Sequence, residues 1–183
     1  MEQLRLFISL PVDFGLAKKI HKQFSQLDLP REGMRLVLPD QMHLTLKFLG
    51  AVPLDKLPEI IAALESIKGR GEPIDLNLNE TIVSPHMHPE VIFIRIQENK
   101  QLTSLYNKIE QALFTAGLAN LESRKFTPHL TIARIKQKVE PAQFADLKNW
   151  IINDQFSVNY FYLMQSELTP KGPIYTNLQS FDL

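Results

Sequence analysis

His43-Leu44-Thr45-Leu46 and His129-Leu130-Thr131-Ile132 are two copies of one four-residue pattern, and their reading decides the fold. Alternate residues of a strand point to opposite faces. Each copy therefore turns a histidine and a threonine hydroxyl one way and two aliphatic side chains the other. The chain has only 5 His in 183 residues, with 44% of its positions hydrophobic. Chance would place two such copies in roughly one comparable chain per thousand. A core strand with polar residues facing solvent accounts for either copy alone, but poorly for the pair.

The chemistry of the pair is specific. Histidine is the side chain whose ordinary pKa lets it give or take a proton near neutrality. One neutral and one protonated imidazole on either side of a substrate form a base and an acid. A threonine hydroxyl two residues on, facing the same way, can donate a hydrogen bond to an anionic oxygen. His43, Thr45, His129 and Thr131 together describe a pocket for a phosphate or another tetrahedral oxyanion. The residue types alone leave open which histidine is acid and which is base.

Composition narrows the field. Twenty Lys and Arg balance twenty Asp and Glu, giving a formal net charge of zero. Proteins that track long nucleic acids usually carry a strong positive excess, so neutrality argues against that role and allows a small phosphorylated ligand or one nucleic-acid end bound in a local basic pocket. There is no cysteine, which excludes a disulfide framework and thiolate metal sites. No apolar stretch approaches the ~20 residues of a membrane span. Residues 1–11 alternate and carry Glu2 and Arg5, unlike a secretory signal. A cytoplasmic protein with no membrane partner is expected.

Working outward from the motifs, Arg5-Leu6-Phe7-Ile8-Ser9-Leu10 reads as a strand ended by Pro11. Leu16, Ala17, Ile20, Phe24 and Leu27 recur at helical spacing and predict a helix over residues 12–28. A short strand at 35–38 precedes the first motif strand, 43–49. A second helix carries Leu57, Ile60, Ile61, Leu64 and Ile67 and is stopped by Gly69 and Gly71. Strands follow at 74–78 and 91–96, then a third helix from Leu102 to a cap at Gly117. After the second motif the pattern predicts a fourth helix over 141–153 and strands at 156–163 and 174–181. Each motif follows a strand-helix-strand stretch. The expected class is α+β, bilobal, with two internally duplicated halves of mainly antiparallel sheet facing across a central cleft and helices outside. Residues 1–183 read as one such domain.

The chain resembles the 2H phosphoesterase superfamily, and within it the LigT-like 2′-5′ RNA ligase group of RNA 2′,3′-cyclic phosphodiesterases. The matching stretches are Arg5-Leu6-Phe7-Ile8, His43 through Gly50, Phe126 through Arg134, and Gly172-Pro173-Ile174-Tyr175. One departure is visible: many relatives have a tryptophan shortly before the first motif, where this chain reads Met34-Arg35-Leu36-Val37. The resemblance implies metal-independent hydrolysis, without cofactor, of a 2′,3′-cyclic phosphate on RNA ends or nucleotides to a 2′-phosphate, with reverse 2′-5′ ligation possible. It implies that His43 is the general acid and His129 the general base, with Thr45 and Thr131 holding phosphate oxygens. No protein partner is implied, and a monomer is expected. Alternative readings are a phosphodiesterase of a small cyclic nucleotide metabolite and a non-catalytic RNA- or nucleotide-binding module.

Other residues invite weighing. Arg134 is a candidate phosphate clamp, but strict alternation puts it on the face opposite His129, so it needs a bulge or the strand end to reach the pocket. Lys47 shares parity with His43, but reads as an exposed strand lysine. Arg124, Lys125, Lys136 and Lys138 could form a basic rim, or a solvated face. His86 and His88 have a spacing that metal sites use, but no nearby carboxylate or thiolate pattern completes one. His21 reads as surface. Phe7, Phe48 and Tyr175 are candidates for stacking a nucleobase.

Overall fold

The computed structural model describes residues 2–67, 69, 72–150, 152–170 and 172–183, without the side chains of Asp146, Lys148 and Asn149. Gly71, Ile151 and Lys171, which the sequence places in a helix stop, a helix and a turn, lie outside the described residues. In chain order the elements are β1 (Gln3–Pro11), α1 (Phe14–Ser25), β2 (Met34–Leu36), β3 (His43–Pro53) and α2 (Leu57–Glu65). Then come β4 (Ile74–Ser84), β5 (Val91–Ile96), α3 (Lys100–Thr115), β6 (His129–Ile135), β7 (Gln155–Val158), β8 (Tyr160–Thr169) and β9 (Gly172–Asp182).

Local chemistry sets these boundaries. The Asp13 carboxylate accepts the Leu16 N–H at 2.8 Å, so α1 starts at Phe14 and not at Val12. Its buried stripe is Leu16, Ala17, Ile20 and Phe24. Asn99 caps α3 in the same way, through the Leu102 N–H at 2.9 Å. At its other end Gly117 takes φ +68°. The Gly117 and Leu118 N–H groups then reach back to the carbonyls of Phe114 and Leu113, a paired closure that needs a left-handed residue. The fourth helix expected over 141–153 is instead a 3-10 segment, Pro141–Asn149. Its apolar residues Phe144, Leu147 and Trp150 recur every three positions, which aligns them on one side at three residues per turn. Phe144 and Leu147 are buried, and Trp150 packs against Phe24 with ring centroids 5.2 Å apart.

The strands form one nine-stranded sheet of order β7-β4-β5-β6-β3-β1-β8-β9, with β2 also on β6. Every registered pair is antiparallel. The strand expected over 156–163 is divided at Asn159. Val158 pairs with Ile74 at one end of the sheet and Tyr160 pairs with Asp182 at the other. Two residues span at most about 7 Å, so the sheet curls until its ends meet.

The duplication shows in the connections. β1, α1 and β3 make one unit, β5, α3 and β6 the other, and in each the motif strand pairs antiparallel with the strand before the helix. The halves join where β3 meets β6. One continuous core holds Leu6, Ile8, Leu10, Leu44, Leu46, Ile92, Ile94, Ile96, Leu130 and Ile132 from the central strands. The other face of those strands carries the histidines and threonines.

Candidate active site

β3 and β6 touch through a single registered pair, Leu44 opposite Leu130. Both leucines are fully buried. Carrying the antiparallel register one residue each way sets His43 across from Thr131 and Thr45 across from His129. The four side chains thus form a patch related by a local twofold axis through the leucine pair. Cross-strand neighbours lie about 5 Å apart and residues two apart along a strand about 7 Å.

The imidazoles are held identically. His43 Nδ1 lies 2.8 Å from the Gln41 carbonyl oxygen and His129 Nδ1 lies 2.8 Å from that of Thr127, in each case two residues upstream. A carbonyl only accepts, so Nδ1–H donates in both rings and Nε2 is left for chemistry. Neither Thr45 nor Thr131 spends its hydroxyl on a partner among the described residues. Aromatic rings fix the imidazole planes: Phe7 at 4.9 Å and Tyr175 at 5.1 Å from His43, and Phe93 at 4.7 Å from His129.

Electrostatics acts on His43. Burial pushes the His43 pKa below its usual 6.5. The Gln41 carbonyl partly opposes this, while the positive charges of Arg134 and His129 add to the lowering. The neutral imidazole of His43 is favoured in the free protein. The Tyr175 phenol is pushed up by burial, against the opposing pull of Arg134, Arg35 and Arg5.

A bulge follows each motif at the same place. On β3, Ser9 pairs with Thr45 but Ile8 pairs with Lys47, leaving Leu46 as the extra residue. On β6, Phe93 pairs with Thr131 but Ile92 pairs with Ala133, leaving Ile132 as the extra residue. An extra residue reverses the facing of everything after it. Arg134 therefore shares the face of His129, and Phe48 that of His43. Both are exposed, and Phe48 meets Phe7 at 6.0 Å.

Lys47 is turned inward, against the expectation of a solvent-facing lysine. Its ammonium lies 2.5 Å from Glu110 of α3 and donates to the Asn120 carbonyl at 2.9 Å. The two side chains are only 9% and 7% exposed. The second carboxylate oxygen of Glu110 accepts the Glu122 N–H at 2.8 Å, so the pair anchors the loop after α3.

The other candidates sort by partner. Arg124 pairs with Glu122 and Lys125 with Glu98, which removes half of the expected basic rim. Lys136 and Lys138 line a cavity of about 530 Å³ together with His88 and Arg134. His86 and His88 are exposed, and among the described residues no group of three or more His, Asp or Glu could hold a metal. His21 is half-buried, with Nδ1 3.0 Å from the Val37 carbonyl, and so ties α1 to the segment after β2. Phe93 beside His129 is not singled out by the sequence; only its place on a strand flanking the motif strand hints at it.

Comparison with known proteins gives the family. Residues 17–169 match the family model described as the 2′-5′ RNA ligase superfamily. An RNA 2′,3′-cyclic phosphodiesterase of Archaeoglobus fulgidus is 32% identical over 183 residues, covering 98% of this chain and 100% of that protein. Among solved structures, TT0787 of Thermus thermophilus superposes with a TM-score of 0.81 at 27% identity, covering 98% of both chains. E. coli LigT complexed with phosphate superposes with a TM-score of 0.74 at 23% identity, covering 100% of this chain and 99% of that one, which speaks to the fold. With its paired motifs on adjoining strands and a family match across most of its length, the chain belongs to the 2′-5′ RNA ligase superfamily.

Proposed function

We propose that this protein hydrolyses the 2′,3′-cyclic phosphate at RNA ends to a 2′-phosphate, using His43 and His129 as the proton-transfer pair. One observation carries the reading: two imidazoles, each with Nδ1 tied to a carbonyl, present Nε2 on one face beside two unengaged threonine hydroxyls. The full-length similarity to proteins named RNA 2′,3′-cyclic phosphodiesterase supports it.

In the forward step a water oxygen attacks phosphorus and the bond from phosphorus to the 3′ oxygen breaks. His129 Nε2 takes the water proton, and His43 Nε2 gives its proton to the departing 3′ oxygen. The phosphate stays on the 2′ oxygen, and exchange with solvent resets both rings. Thr45 and Thr131 donate to the non-bridging oxygens as charge gathers there. This assignment of acid and base follows the family resemblance. Burial disfavours protonated His43 in the free protein, and the negative charge of an arriving phosphate opposes that lowering. A 5′-hydroxyl attacking in place of water would break the same bond and leave a 2′-5′ linkage, which is ligation.

Turnover of an oligonucleotide ending in a 2′,3′-cyclic phosphate, measured in EDTA, tests the proposal. Proton transfers are worth roughly 10²- to 10⁴-fold each. His43→Ala and His129→Ala should each lose at least that much of kcat while folding normally. A binding module would lose affinity only, and turnover surviving either substitution would refute the mechanism.

A further inference from the structure

β5 covers one edge of β6, and two strands share the other. β3 takes the end at Leu130, and β2 takes the end from Ala133 to Ile135. The motif quartet lies at the first contact. At the second, Arg35 of β2 is registered directly opposite Arg134. Like charges directly opposite each other on neighbouring strands are destabilising, yet neither guanidinium has a carboxylate partner among the described residues.

Three features show that Arg35 is placed and not merely present. Gly172 opens β9 with φ +126°. The Arg35 guanidinium fills the space that a side-chain carbon on that glycine would occupy, and the backbone there is one that L side chains rarely adopt. The neighbouring Pro173 carbonyl accepts from Gln41 Nε2 at 3.1 Å, which fastens this turn to the segment leading into the first motif. Arg35 also acts on the Tyr175 phenol, whose ring packs against His43. Arg134 acts on both Tyr175 and His43. The arginine pair therefore sits beside the quartet, displaced along β6 by the three residues from Thr131 to Arg134, about 10 Å of strand.

We propose that Arg35, opposite Arg134, forms a second phosphate subsite that takes the phosphodiester on the 5′ side of the terminal nucleotide. The inference rests on the reading of the protein as an RNA-end phosphodiesterase and narrows its substrate to oligonucleotides over mononucleotides. One phosphate engages the histidines and threonines, and the next meets the unpaired arginine pair. Arg35 is a specificity residue and takes no part in the proton transfers.

The test compares a nucleoside 2′,3′-cyclic phosphate with the corresponding dinucleotide, and with a dinucleotide whose internal linkage is an uncharged methylphosphonate. In the wild-type protein, kcat/KM should be about tenfold higher for the charged dinucleotide than for the neutral one, about 1.4 kcal/mol. In Arg35→Gln that difference should shrink to less than twofold, and the dinucleotide-to-mononucleotide ratio should fall by the same factor. The salt dependence should also weaken by roughly 0.7 in log-log slope, one phosphate contact on a single strand. A wild-type protein indifferent to the methylphosphonate overturns the subsite. So does an Arg35→Gln protein that keeps both ratios at their wild-type values, which is the outcome if both arginines serve the scissile phosphate. Absence of turnover on all three substrates refutes the catalytic reading instead. The same three ligands measured by calorimetric binding then decide the subsite separately.

Discussion

Arg134→Gln is the substitution whose outcome the structure constrains most tightly. The bulge at Ile132 turns Arg134 to the face of His129, and its charge acts on both His43 and Tyr175. A hydrogen bond to a charged group contributes about 1.5–3 kcal/mol, which is roughly 10- to 150-fold in kcat/KM at 1.4 kcal/mol per decade. A contact to the phosphodiester on the 5′ side is made equally to bound substrate and transition state, so the loss should appear in KM and leave kcat nearly unchanged. Arg134→Lys keeps the charge but loses the two-pronged donor and should fall between wild type and Arg134→Gln. A second readout is independent of substrate. Removing a neighbouring cation stabilises the protonated imidazole, so the His43 pKa, followed by NMR, must rise in Arg134→Gln. Arg134 is exposed, so thermal stability should barely change. If kcat/KM stays within twofold and the His43 titration does not move, the guanidinium does not face the site and the bulge argument fails.

Other consequences are open to simple measurement. Phe48 is 65% exposed beside Phe7, so Phe48→Ala should leave stability intact while weakening substrates that carry a base. A stacked base is worth about 1–3 kcal/mol, or roughly 5- to 150-fold in KM, and equal KM values for both proteins would remove Phe48 from the site. Lys47→Met strands the Glu110 carboxylate in the core. Breaking a buried pair costs about 3–5 kcal/mol, so Tm should drop by roughly 6–20 °C, and adding Glu110→Leu should recover part of it; an unchanged Tm contradicts the burial. The lowered His43 pKa also has a stability signature. As pH falls through the ordinary value of 6.5, the unfolded chain takes up a proton that folded His43 resists, so stability falls below that pH until the folded-state pKa is reached. Urea unfolding at pH 7.5 and pH 5 should show wild type losing more stability than His43→Gln; an equal or larger loss in the variant would reverse the sign.

The sequence carries the site but not its edges. Paired His-apolar-Thr motifs imply strands, a shared facing and an oxyanion pocket, because alternation by two is a property of the backbone. The buried stripes of α1 and α3 are legible for the same reason. What alternation cannot show is where it breaks. Counting by two puts Lys47 on the site face and Arg134 off it, and one extra residue in each motif strand reverses both. On β6 a trace is present, since Ile132-Ala133 sets two apolar residues side by side in an alternating strand. On β3 there is none, because the inward turn of Lys47 depends on Glu110, 63 residues away. The opposition of Arg35 and Arg134 likewise depends on the pairing of β2 with β6, which no local pattern encodes. The 3-10 segment at Pro141 reads as α-helix from its residues because spacings of three and of three-and-a-half differ little over nine residues.

The measurement that reaches the central claim most directly is a single turnover of a 2′,3′-cyclic-phosphate oligonucleotide in ¹⁸O-water with EDTA, read by ³¹P NMR and mass spectrometry. Joint action of His43 and His129 on one phosphorus requires one ¹⁸O in a 2′-monophosphate product, and no product from either His→Ala variant. A 3′-monophosphate, or labelled product from a protein lacking one of the two imidazoles, would contradict it.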